Sequence, residues 1–138
     1  MFKRKEDIRL LIVDDEVGFA DVLQKRMSRR GVVVETASSG EEAVRMLRGR
    51  DFDVAVVDLK LEGMDGIEIL KVFKLLAPEL PVLMLTGHGS ETAAKACMEL
   101  GASDYLSKPI DFDLLLTKVM SVCTNEEGAD EQNPGSAG

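Results

Sequence analysis

A chain of 138 residues with a formal net charge of −8, 45% hydrophobic and 30% charged residues has the balance of one soluble globular domain with interior enough for a single core. The negative charge opposes the phosphates of nucleic acid, and the lysines and arginines are scattered rather than gathered in a stripe. No apolar run approaches the ~20 residues of a membrane span, and Asp14 interrupts the first hydrophobic stretch before it reaches signal-peptide length, so the chain is expected in the cytoplasm with no membrane or direct nucleic-acid partner.

Along the chain, β-type apolar runs alternate with helical patterns, the signature of repeated βα units and a parallel sheet. After an extension at 1–6, a first strand is expected over Arg9–Val13, then a helix with Ala20, Leu23 and Met27 on one face. A second strand, Val32–Thr36, leads to a helix opened by Ser39 and carrying Ala43, Met46 and Leu47. The third strand, Asp53–Val57, precedes a helix capped by Asp65, carrying Ile67, Leu70, Phe73 and Lys74 and stopping near Pro78, which disfavours helix in the residue before it. Val82–Leu85 is the fourth strand, followed by a helix capped by Ser90 with Ala93, Ala94, Cys97 and Met98. Ser103–Leu106 is the fifth, and Asp111 opens a last helix, Phe112–Cys123, whose Leu114, Leu115, Val119 and Val122 are expected to cover the sheet.

Gly31, Gly49 and Gly101 follow helical segments, where positive φ is favoured. Cys97 and Cys123 fit no metal spacing and read as buried thiols, and His88 reads as a solvated loop residue. Residues 124–138 hold no lysine, arginine or large apolar side chain, so they read as a flexible acidic tail or a truncated linker, leaving 7–123 as the domain.

Five polar residues stand at or just beyond the strand ends: Asp14 and Asp15, Asp58, Thr86 and, shortly after Tyr105-Leu106, Lys108. In an open parallel sheet the carboxyl ends of the strands face one crevice, so these residues converge. Three carboxylates that close call for a hard divalent cation such as Mg²⁺, and the implied chemistry is phosphoryl transfer. Each residue also has a plainer use: Asp14 and Asp15 can begin a turn and cap a helix, Asp58 can end a strand, Thr86 can be a strand threonine and Lys108 a solvated charge.

Leu11-Ile12-Val13-Asp14-Asp15-Glu16, Val57-Asp58-Leu59 with Gly63-Met64-Asp65-Gly66, Leu85-Thr86-Gly87-His88-Gly89 and Gly101-Ala102-Ser103-Asp104-Tyr105-Leu106-Ser107-Lys108-Pro109, in that order, resemble the receiver domain of two-component response regulators. The resemblance covers about 7–123. It implies a doubly wound five-stranded parallel sheet of flavodoxin-like order 2-1-3-4-5 with helices on both faces. It further implies Mg²⁺, or Mn²⁺ in its place, bound chiefly by Asp15 and partly by Asp14, with Asp58 and the backbone carbonyl of Lys60. Asp58 is then the phosphoacceptor, Lys108 pairs with it and next with a phosphoryl oxygen, and Pro109 follows a cis bond that aims the lysine. Thr86 bonds the phosphoryl group while the ring at Tyr105 turns as a switch.

The implied function is a switch phosphorylated by a histidine kinase or phosphotransfer protein. It is not a turnover enzyme, although it catalyses its own phosphorylation and dephosphorylation. An unknown effector reads the fourth-helix, fifth-strand and fifth-helix surface, for which Lys95, Met98, Tyr105 and Lys118 are candidates, and a phosphorylation-dependent homodimer fits the same scheme. Two other classes stand beside it: a phosphorylation-independent receiver-like interaction module, and a Mg²⁺-dependent phosphohydrolase, which lacks the general acid expected at position 60, where lysine stands, and a cap segment. The chain departs from the family at Glu62, where proline is common, and at Leu61, where methionine is frequent.

Overall fold

The structure, a computed structural model, describes residues 8–61, 65–87 and 91–124. Five βα units follow one another: β1 Arg9–Val13, α1 Val17–Arg29, β2 Val33–Ala37, α2 Gly40–Gly49, β3 Val54–Asp58, α3 Gly66–Leu76, β4 Val82–Thr86, α4 Glu91–Glu99, β5 Asp104–Ser107 and α5 Phe112–Thr124. The strands pair in parallel in the order β2-β1-β3-β4-β5, the doubly wound arrangement expected from the resemblance.

The two-residue period of a strand divides the core in two. Leu10, Ile12, Val54, Val56, Leu83 and Leu85 face Ala20, Leu23 and Met27 of α1 and Leu115 and Val119 of α5. Leu11, Val13, Ala55, Val57, Val82 and Met84 face Ala43 of α2, Ile69, Leu70 and Phe73 of α3, and Cys97 of α4. Because helices cover both faces, β3 and β4 are buried along their whole length, which is why they read as unbroken apolar runs.

Local signals explain the helix boundaries. The Ser39 hydroxyl accepts from the Glu42 N–H at 3.1 Å, which satisfies one orphan donor of α2, while the Glu42 carboxylate accepts from the N–H of Ser38, the residue before the cap, at 2.8 Å. Asp65 and Asp111 accept from the N–H groups of Glu68 and Leu114, and α3 closes at Leu76 with the Ala77 N–H on the Phe73 carbonyl, just ahead of Pro78. Gly31 and Gly101 take positive φ, 91° and 106°. Cys97 and Cys123 are buried and form no disulfide.

Several expectations are corrected. β2, β3, β4 and β5 each end one residue later than their side chains suggest, because the parallel ladder runs on: Asp58 pairs with Leu85 and Thr86 with Ser107. Gly49 is the last residue of α2 and Arg50 is its C-cap, so positive φ is not needed there. Leu114 is 46% exposed rather than on the sheet; α5 turns Leu115, Val119 and Cys123 inward at helical spacing, which leaves Leu114 outside that stripe. Met98 is likewise exposed, with Ala94 and Cys97 facing in. Glu62, Gly63, Met64, His88, Gly89 and Ser90, the 1–6 extension and residues 125–138 lie outside the described residues.

Candidate functional site

The site stands at the carboxyl ends of β1, β3, β4 and β5. Asp14 follows β1, with its N–H held by the Ala37 carbonyl at 3.0 Å. Its side chain has two roles. Oδ1 accepts from the Glu16 N–H at 2.8 Å and so forms the turn into α1, while Oδ2, on a residue only 1% exposed, has no hydrogen-bond partner among the described residues. Asp58 closes β3 and is 6% exposed; its Oδ1 accepts from the Lys60 N–H at 3.2 Å. Gly66 lets α3 start against this strand end, since a Cβ there would lie 2.6 Å from both the Asp58 carbonyl oxygen and the Leu59 Cα.

Lys108 comes in after β5, with its N–H on the Thr86 carbonyl at 2.8 Å and a cis bond to Pro109. Its ammonium stands 3.2 Å from Asp58 Oδ2, 3.3 Å from Glu16 Oε1 and 3.6 Å from Asp14 Oδ2, and 4.7 Å from the centre of the Phe19 ring. Thr86, buried at the end of β4, donates its hydroxyl to the Leu106 carbonyl at 3.3 Å. Tyr105 is exposed on β5. Beside it, Lys118 and Asp104 form a hydrogen-bonded ion pair, and Lys95 is exposed on α4.

Asp58, Lys108 and Asp14 therefore meet as expected, with Thr86 tied through its carbonyl to the lysine backbone. Asp15 stands beside this group. The carboxylates whose oxygens lie within 4.8 Å of one another are Asp14, Glu16 and Asp58, whereas Asp15 lines an adjoining cleft of about 510 Å³ with Lys60, Leu61, Asp65 and Ala93. Glu16 and Phe19 were not singled out from the sequence; the signal for Glu16 was present in the acidic run Asp14-Asp15-Glu16.

Charge at the site is unbalanced. Burial is the main cause that raises the Asp14 pKa above 3.8; the Glu16 N–H opposes it, the Asp58 and Glu16 charges add to it, and Lys108 counters. Burial alone would lower the Lys108 pKa, but the Asp14 and Asp58 charges and the hydrogen bonds to Asp58 and Glu16 outweigh it and raise the value above 10.5. Three carboxylates against one ammonium leave excess negative charge around a buried oxygen that, among the described residues, accepts no hydrogen bond. A hard divalent cation satisfies that donor set.

The family model for the response regulator receiver domain matches residues 10–120. The chain is 35% identical to transcriptional regulatory protein ZraR of Escherichia coli K12 over 129 residues, 94% of this chain and 29% of that protein. It is 40% identical to photosynthetic apparatus regulatory protein RegA of Cereibacter sphaeroides over 111 residues, 80% of this chain and 60% of RegA, so it spans only part of either relative. Among solved structures, the receiver domain of NtrX from Brucella abortus gives a TM-score of 0.80 at 32% identity over 83% of this chain and 97% of that one. A receiver domain protein from Clostridium thermocellum gives 0.81 at 30% identity, covering 84% and 94%.

Proposed function

Because the chain belongs to the response regulator receiver domain family of two-component systems, we propose that Asp58 accepts a phosphoryl group from a histidine kinase or phosphotransfer protein and that the chain is a phosphorylation-dependent signalling switch. The observation that carries this reading is the buried Asp58 carboxylate with the Lys108 ammonium 3.2 Å from its Oδ2. An Asp58 oxygen attacks the phosphorus of the donor, the P–N bond to the donor imidazole breaks, and a mixed anhydride forms. Asp14, Asp15, Asp58 and the Lys60 carbonyl would hold Mg²⁺ or Mn²⁺, with Glu16 close enough to join them; the buried Asp14 Oδ2, which accepts no hydrogen bond among the described residues, supports that assignment. The ion would screen the repulsion between the attacking carboxylate and an anionic donor and stabilise the transferring group.

The remaining steps belong to the chain. Lys108 exchanges an Asp58 oxygen for a phosphoryl oxygen, a duty suited to a point charge on a flexible stem. The Thr86 hydroxyl leaves the Leu106 carbonyl for another phosphoryl oxygen, which draws the end of β4 inward and gives the Tyr105 ring room to turn. A local change of about −1.5 to −2 charge thus alters the α4-β5-α5 surface, where Lys95, Met98, Tyr105 and Lys118 would meet an effector or a second copy. On this reading the receiver runs from 7 to the end of α5 at Thr124, one residue beyond the boundary expected from the sequence, between an extension at 1–6 and a tail or linker at 125–138, and it works in the cytoplasm; no described helix is long and apolar enough to cross a membrane. It has no turnover substrate and promotes only its own phosphorylation and dephosphorylation.

Fluorine NMR of beryllofluoride, which imitates a phosphoryl group on a carboxylate, tests the reading. Bound resonances should appear for the wild type with Mg²⁺ and vanish with a chelator or with Asp58→Ala. Tight partner binding by a protein that shows no bound resonances would favour a phosphorylation-independent module instead.

A further inference from the structure

We propose that Phe19 is a positioning residue for Lys108: its ring face, with the Glu16 carboxylate, sets where the ammonium stands for phosphoryl transfer. This rests on the reading of Lys108 as the cation that receives the phosphoryl oxygen. Phe19 lies in the first turn of α1 and Lys108 beyond β5, so nothing in sequence proximity ties them. In space the lysine Nζ is 4.7 Å from the ring centroid, inside the range of about 6 Å in which a cation is drawn to an aromatic face.

The ring is fixed and the lysine is adaptable. Phe19 is half-buried and packs on the core between the sheet and the α1–α5 layer, while the outer side of the same turn is open: Val17 is 59% exposed and a Cβ at Gly18 would meet nothing within 4 Å. Lys108 carries its charge on a four-carbon stem with many rotamers. Among the described residues its ionic partners are the carboxylates of Asp58, Glu16 and Asp14, at 3.2, 3.3 and 3.6 Å.

Those carboxylates lose their hold when a divalent cation or a phosphoryl group engages Asp14 and Asp58. The ring, being neutral, keeps its attraction through that exchange. Glu16, whose side chain is 66% exposed, supplies a second tether, one weakened by solvent. Phe19 is therefore the contact that holds the ammonium near the transferring group while its ionic partners change.

The experiment is a double-mutant cycle. Phe19→Leu removes the ring face but keeps apolar bulk, and Phe19→Tyr keeps the face; each is made with Lys108 intact and with Lys108→Ala, and phosphorylation by acetyl phosphate at saturating Mg²⁺ is timed by intact mass. Phe19→Leu should slow labelling about three- to tenfold with Lys108 present and change it less than about twofold in Lys108→Ala, while Phe19→Tyr stays within about twofold of wild type. An unchanged rate for Phe19→Leu, an equal slowing in both backgrounds, or a Phe19→Tyr variant as slow as Phe19→Leu overturns the proposal. Where Phe19→Leu does not fold, the wild-type NMR spectrum decides: ring-current shifts and nuclear Overhauser contacts between the Phe19 ring and the Lys108 ε-methylene are expected, and their absence refutes the contact. Failure of the wild type itself to label would instead strike the underlying assignment of Asp58.

Discussion

Asp14→Asn should stabilise the cation-free protein. Asn keeps the oxygen that accepts from the Glu16 N–H and removes a charge from a residue 1% exposed whose Oδ2 has no hydrogen-bond partner among the described residues. At an effective dielectric of about 20, repulsion from Asp58 within 4.8 Å is at least about 3.5 kcal/mol and attraction to Lys108 at 3.6 Å about 4.6 kcal/mol. The exposed Glu16 adds a discounted repulsion of roughly 1 kcal/mol. These Coulomb effects come close to cancelling, which leaves the desolvation of the carboxylate as the net cost, and a gain of about 1–2 kcal/mol for the amide follows.

Urea denaturation in chelator is the assay. The sign with pH is fixed: a carboxylate whose folded pKa lies above 3.8, chiefly through burial, destabilises the fold when ionised. The advantage of Asn should be full above the folded pKa, shrink as pH falls through it and be gone below about 3.8. Added Mg²⁺ should stabilise the wild type more than the variant, since a ligand stabilises the state that binds it. A variant no more stable than wild type in chelator near neutral pH would refute the picture of an unbalanced buried charge.

Other perturbations follow from the same structure. Gly66→Ala places a methyl group where it would lie 2.6 Å from the Asp58 carbonyl oxygen, so it should both lower the urea midpoint and slow Asp58 labelling; loss of neither would show that the start of α3 yields freely. Phe73→Ala, at a fully buried position between α3 and the sheet, should lower stability by about 3–5 kcal/mol in urea unfolding. Burial would raise the Asp104 pKa, but the Lys118 hydrogen bond, the Tyr105 N–H and the Lys118 charge outweigh it and hold the value below 3.8. That stabilisation is present above 3.8 and lost as pH falls through the folded pKa, so Lys118→Met should flatten the acid limb of a melting-temperature profile, by less than about 1 kcal/mol for so exposed a pair.

Much of the site was legible because strand ends in a parallel sheet converge, so the positions of Asp14, Asp58, Thr86 and Lys108 follow from the order of apolar runs. The strand ends were less so: polar side chains at Asp58 and Thr86 look like terminators, yet backbone pairing with Leu85 and Ser107 carries the ladder through them. Helix phase at the periphery was hidden for a related reason, since Leu114 and Met98 are apolar and only the packing of α5 and α4 decides that they face outward. Glu16 and Phe19 are the larger omission. Their contacts are made to a lysine 92 residues from Glu16, brought there by the approach of α1 to the end of β5, and local sequence does not encode that approach.

The most direct measurement is intact mass after incubation with Mg²⁺ and acetyl phosphate, wild type beside Asp58→Asn. One added phosphoryl group on the wild type alone, abolished by a chelator, is the expected result. The same adduct on Asp58→Asn would contradict the assignment of the phosphoacceptor.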